Sequence, residues 1–245
     1  MGAYESAKRT LPEPKPSGLV AMKRLLPLLL LLTACGRQLA PSMPGPGVDR
    51  GSYRAAAASG VAVYAVDPRA SLVTVTVRRA GLMARLGHDH VVASHMLAGY
   101  VAPGAGSADV SFRVDEMTVD EPQLLRDAGI AKQPSSQAVE GTRTNMLGPV
   151  LEAQRYPVVT LHAKRQADGR LRVAVTLHGT TRWLALPATV QVDATQVTAS
   201  GTARLKQTDF GMTPFSVGGG LLSVQDELEV RYHVVARRWR PFVDP

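Results

Sequence analysis

Apolar and polar residues alternate with period two over most of residues 61–236. Val73, Val75 and Val77 alternate with Thr74, Thr76 and Arg78, and Ala108, Val110, Phe112 and Val114 alternate with Asp109, Ser111 and Arg113. Val159 and Leu161 repeat the pattern, as do Leu171, Val173, Val175 and Leu177. It continues through Leu184, Leu186, Val190 and Val192, and through Leu228, Val230, Tyr232 and Val234. Successive side chains of a strand point to opposite faces, so each run predicts a half-buried strand. One apolar and one wet face is the mark of antiparallel sheets. Asp168-Gly169 predicts a tight turn between two runs, and Gly179-Thr180 predicts the next. The rhythm breaks over residues 121–155. There Glu121 to Arg126, with Pro122 at the first turn, predicts a short helix, and Ser136 to Leu147 predicts a second.

Upstream the pattern changes twice. Met22-Lys23-Arg24 is a short basic segment, Leu25 to Leu32 is apolar apart from Pro27, and Leu32-Thr33-Ala34-Cys35 closes the run. This is the form of a bacterial secretion signal and is too short for a spanning helix. Cys35 resembles the lipidated cysteine of a lipoprotein, and an ordinary signal with an incidental cysteine is the alternative. Gly36 is not Asp, which by lipoprotein sorting patterns leans toward the outer membrane. Residues 1–34 are therefore read as an extension plus leader, with either Met1 or Met22 as the start. Residues 35–60 contain Pro41, Pro44, Pro46 and the run Ala55–Ala58, and few large apolar residues. That composition predicts a disordered tether. One domain follows, 61–236, with a basic tail at 237–245.

Composition excludes more than it proposes. The chain carries a net charge of +8, but residues 61–236 hold 17 Lys/Arg against 16 Asp/Glu. No basic face interleaved with aromatics marks a nucleic-acid binder. Cys35 is the single cysteine, so neither an internal disulfide nor a cysteine metal cluster can form. No Gly-x-Ser-x-Gly elbow occurs. Asp115-Glu116 and Asp226-Glu227 are adjacent, so each pair splits across the two faces of a strand and reads as solvated. The expectation is a protein that is not an enzyme.

Two features can hold a ligand. The inward residues are mostly Val, Leu and Ala, with only four Phe in the chain. Such a lumen either fills or leaves room for one small ligand. Its expected lining includes Val75, Val77, Phe112, Leu161, Val175, Leu177, Leu186 and Tyr232, with Phe215 in a Gly/Pro-rich loop over one end. The second feature is Gly87-His88-Asp89-His90. On a strand, His88 and His90 face one side and can share a metal. By parity His162, His178 and His233 face the wet side, and His95 points away from His90. A third ligand is therefore missing unless a homodimer supplies it. The other readings make His88 and His90 a backbone cap at the rim or a contact for a lipid headgroup.

Several segments together resemble the YceI-like family. They are Thr176-Leu177-His178-Gly179-Thr180-Thr181-Arg182, Asp209-Phe210-Gly211-Met212, Asp226-Glu227-Leu228-Glu229 and the passage Leu151 to Tyr156-Pro157. They match the family's T-x-x-G-x-T-R hairpin, D-F-G turn, closing D-E-L-E strand and L-x-x-x-x-Y-P link. The resemblance covers 61–236. It implies an all-β, antiparallel, lipocalin-like barrel of about eight strands with one or two short helices. It also implies a long isoprenoid lipid, polyprenyl or quinone, as ligand and partner, with no cofactor required. The competing expectation is a periplasmic metal- or haem-associated protein using the His-x-His pair.

Overall fold

The computed structural model describes residues 48–168 and 170–240. The leader, Cys35, the first part of the tether, Gly169 and residues 241–245 lie outside the described residues. Among those described, no helix is long and apolar enough to cross a membrane.

The alternating runs become strands of one antiparallel sheet. In chain order these are β1 (Tyr64–Val66), β2 (Leu72–Ala80), β3 (His90–Ser94), β4 (Ala98–Ala102), β5 (Ser107–Arg113) and β6 (Thr118–Val119). Then come β7 (Val158–Arg165), β8 (Leu171–Leu177), β9 (Thr180–Ala185), β10 (Thr189–Val192), β11 (Gln196–Lys206), β12 (Ser216–Val217) and β13 (Leu222–Arg238). The helices are α1 (Arg50–Ala58), α2 (Pro122–Asp127) and α3 (Ser136–Asn145), and α3 runs on into a π-helical turn at Met146–Val150.

Among the described residues thirteen strands stand where about eight were expected, because several long runs are interrupted. Along one edge β13 pairs with β2 over Ser223–His233 and then with β1 over Ala236–Arg238. So β1 and β2 lie end to end, parted by a turn at residues 67–71. Buried Ser71 closes that break, with its Oγ accepting from the Val235 N–H at 3.0 Å. β3 and β4 likewise pair end to end with β2 and β1. The run 184–192 splits at Pro187, which lacks an N–H for a ladder. Before it β9 pairs with β8, and after it β10 pairs with β11.

No ladder joins β9 to β11, so the sheet is open there rather than a closed barrel. A 3₁₀ turn at Thr208–Phe210 packs against both strands. Its Phe210 is 1% exposed, beside Val173, Val175 and Met212. The Arg182 Nε–H donates to the Asp209 carbonyl at 2.7 Å.

The tether expectation fails over residues 50–58. Alanine is the best helix former, and Asp49 Oδ1 accepts from the Gly51 N–H at 2.9 Å to start α1. Tyr53 then anchors it: 4% exposed, its ring 5.3 Å from that of Tyr100 and its hydroxyl donating to Asp109 Oδ2 at 2.8 Å. Burial and the Asp109 carboxylate push the Tyr53 phenol well above its usual pKa. The basic tail is not free at its start either. β13 runs through Arg238, Arg237 Nε lies 2.6 Å from Asp67 Oδ2, and Trp239 packs on Tyr100 at 4.9 Å. Alternation cannot reveal such contacts, because they join segments far apart in sequence.

The β8–β9 turn falls one residue earlier than expected. Leu177 pairs with Thr180, and His178 and Gly179 both have positive φ, 50° and 71°. Two left-handed residues suit the right-handed twist of a hairpin. A Cβ on Gly179 would lie 2.5 Å from a ring carbon of Tyr156, so the position needs glycine for space as well.

Phe210→Ala removes the largest fully buried side chain at the open edge. It should lower unfolding stability by about 3–5 kcal/mol. Urea denaturation checks this as a fall in midpoint at unchanged slope.

Candidate functional site

The sheet curls around a cavity of about 400 Å³, within the range of ligand pockets, roughly 300–1,000 Å³. Strand parity selects its walls. Val75 and Val77 of β2, Phe112 of β5, Leu161 of β7, and Val175 and Leu177 of β8 all line it. So do Leu186, Phe215 and Tyr232. Val75, Leu161, Val230 and Val234 stay only half-buried although they point inward. Short side chains on facing strands do not meet across the middle, which separates a hollow from a filled core. Tyr232 is held sideways, its hydroxyl donating to the Pro187 carbonyl.

One end is closed by the end of α3 and its π-helical turn, through Asn145, Met146, Val150 and Leu151. Ser135 caps α3, accepting from the Ala138 N–H at 3.3 Å. Met212 and Phe215 also lie along the wall, from the loop that follows β11.

The His-x-His pair divides. His90 opens β3, opposite Val77, and lines the cavity. His88 precedes the strand and does not line it, so the two rings do not share one strand face as expected. Their centroids are 6.2 Å apart. Asp89 explains the break: it accepts from the Arg79 N–H at 2.9 Å and from the Arg78 guanidinium at 3.1 Å, closing the loop before pairing begins at His90. Burial and nearby Lys132 and His90 hold the His88 imidazole below its usual pKa.

His90 has a partner that sequence reasoning missed. Its Nδ1 donates to Asp120 Oδ2 at 2.7 Å, and Asp120 Oδ1 accepts from the Val91 N–H at 2.9 Å. The Asp120 side chain is fully buried, and its φ of 57° is left-handed. Few residues other than Gly, Asn and Asp occupy that region readily. The other ring nitrogen, Nε2, lies 3.5 Å from Thr142 Oγ1 of α3. Thr142 and Asn145 are three apart on α3 and both line the cavity. The Thr142 hydroxyl donates to the Ala138 carbonyl at 2.8 Å. The i, i+3 spacing of Thr142 and Asn145 was visible in the sequence, but the target of that helix face was not.

The remaining histidines lie apart from this cluster. His162 Nδ1 meets Asp109 Oδ1 at 2.5 Å, His95 meets Glu121 at 2.7 Å and His178 meets Glu152 at 3.2 Å. Among the described residues, no three His, Cys, Asp or Glu side chains gather where one metal ion could bind them. Asp226 is on the solvent side as expected, and there it accepts from the Thr208 N–H at 2.9 Å and hydroxyl at 2.7 Å.

These features define a class: an all-β protein whose open, curled antiparallel sheet encloses an apolar, ligand-sized cavity. Residues 64–236 match the YceI-like domain family, and the chain belongs to it. A polyisoprenoid binding domain from Saccharophagus degradans, implicated in plant cell wall breakdown, has a similar structure. It shares 13% identity at a TM-score of 0.52, covering 72% of this chain and 98% of its own. BcnA of Burkholderia cenocepacia shares 17% identity at a TM-score of 0.47, covering 70% and 99%. Among curated proteins, none matches the chain.

Asp89 makes acid stability a test of the loop before β3. Burial alone would raise its pKa, but the Arg79 N–H and the Arg78 guanidinium outweigh it and hold the carboxyl below its usual value. A lowered folded pKa stabilises the protein fully above the unfolded value, about 3.9. That stability fades as pH falls through the folded value. Asp89→Asn should unfold more easily than wild type at pH 6, with the gap narrowing below about pH 4. Denaturation midpoints across that range measure it, and a gap that does not narrow contradicts the assignment.

Proposed function

We propose that the protein is a non-enzymatic carrier or sink for a long isoprenoid lipid, of polyprenyl or quinone type, on the periplasmic side of a bacterial envelope. The observation that carries this reading is the hollow lumen, walled by small aliphatic side chains. A lumen so poor in polar groups holds its ligand chiefly by the hydrophobic effect. At roughly 25 cal/mol per Å², a tail burying several hundred Å² gains several kcal/mol. Part of that is lost to ordering the chain. The polyisoprenoid-binding activity of the Saccharophagus degradans domain, which shares the fold, is consistent with the same class of ligand here.

Native mass spectrometry of protein purified from cells should detect a co-purified lipid of isoprenoid mass. Val230→Trp, at mid-wall, should occlude the lumen and lower uptake of an added polyprenol by about tenfold or more while leaving the fold intact by circular dichroism. Wild-type protein that takes up no isoprenoid in titration would sink the carrier reading.

We further propose that Cys35 carries the lipid anchor and that the mature protein resides at the outer membrane. Palmitate labelling should mark the wild type and not Cys35→Ala, and the variant should leave the membrane fraction. Equal labelling of the two would place the anchor elsewhere.

A further inference from the structure

We infer that His90, held by Asp120, forms a headgroup subsite that takes an uncharged oxygen, a hydroxyl or a carbonyl, in preference to a phosphate. The inference rests on the carrier reading and adds the chemistry of the ligand's polar end.

A carbonyl or hydroxyl inside an apolar cavity costs free energy unless it is hydrogen-bonded. At the α3 end the lining supplies what it needs: His90 Nε2, Thr142 and Asn145. The Asp120 carboxylate takes the Nδ1 proton of His90, which fixes the ring and leaves Nε2 toward Thr142 and the cavity. The Thr142 hydroxyl proton is already given to Ala138, so its oxygen is left as an acceptor. Each protonation state of His90 has a neutral match. Neutral imidazole presents Nε2 as an acceptor for a hydroxyl, and imidazolium presents a donor for a carbonyl.

A phosphate has no such match. Among the described residues that line the cavity, the only Lys or Arg is Arg165. It sits at the far end, on β7 next to Lys164, which pairs with Ser107 at the start of β5. His90 is at the opposite end, since β3 and β4 lead away from it to Ala102, which pairs with that same Ser107. The fixed charge in direct contact with His90 is the buried carboxylate of Asp120, whereas Lys132 and Arg79, which act on His88, do not line the cavity. A phosphate placed there would be desolvated beside a like charge, and an imidazolium at best cancels that charge.

A purely structural dyad, stapling the Val119-Asp120 segment to β3, would stabilise the fold without affecting headgroup choice. Titration of the protein with a polyprenol and with its monophosphate of the same tail length separates the two roles. The alcohol should bind at least about tenfold tighter. His90→Gln keeps a donor for Asp120 but withdraws Nε2, and should weaken alcohol binding by about five- to tenfold. It should leave a saturated hydrocarbon of similar length unaffected. Since this variant could also perturb folding, the wild type provides a second measurement. The ¹⁵N resonance of His90 Nε2 should move when the alcohol is loaded and stay in place when the hydrocarbon is loaded. Equal affinity for alcohol and phosphate, or an unresponsive Nε2 on alcohol loading, overturns the subsite while leaving the lipid carrier standing. Failure of every tail to bind, hydrocarbon included, overturns the carrier reading and the subsite with it.

Discussion

β13, 17 residues long, is paired along both edges over the middle and end of its length. One edge pairs with β11 from Gln196 to Lys206, and the other with β2 and then β1. Because pairing fixes register, and register fixes which face each side chain takes, this strand sets the geometry of the wall. Leu228, Val230, Tyr232 and Val234 are thereby turned inward together. The register with β2 shifts between Val224 and Leu228. Within that irregularity Asp226 turns outward to hold Thr208, which positions the turn carrying Phe210. So the same strand builds the cavity wall and anchors the plug of the open edge.

The hollow follows from side-chain size. Larger apolar groups sit toward the closed end, where Leu97, Phe112, Val114 and Met117 form a packed cluster with partly buried Met146 and Leu147 behind them. Mid-wall positions are mostly valine and alanine, too short to meet across the interior. Tyr232 could have spanned it, but its hydroxyl is tied to the Pro187 carbonyl. Gly201 makes room, since a Cβ there would lie 2.5 Å from that hydroxyl. The wall therefore keeps its aromatic ring without losing the space.

The polar end is built differently from the wall. It combines a buried carboxylate with left-handed backbone, the first residue of a strand and two residues near the end of a helix. Backbone strain of this kind persists only where surrounding contacts enforce it. Here the Val91 N–H and the His90 ring hold the Asp120 carboxylate, and the Asp120 N–H donates to the Val91 carbonyl at 2.8 Å. His90 is thus positioned by contacts from outside its own strand.

Period-two alternation by itself determined the all-β class and the inward parity of Val75, Phe112, Leu161, Val175 and Tyr232, because a strand's geometry assigns faces locally. It also located α2 and α3 through the loss of that period. It could not determine how many strands the runs become, since Pro187 and the turn at residues 67–71 change hydrogen-bond partners without disturbing parity. Nor could it distinguish His90 from His88, for that depended on Asp89 bonding back to Arg79. The packing of Tyr53 and Trp239 on Tyr100 and the pairing of His90 with Asp120 were likewise decided by tertiary structure. Each joins residues distant in sequence, and no local pattern encodes where the chain returns. Whether the interior is filled or hollow was decided there too, because parity names the residues that face inward, while the distance between opposing walls sets whether they touch.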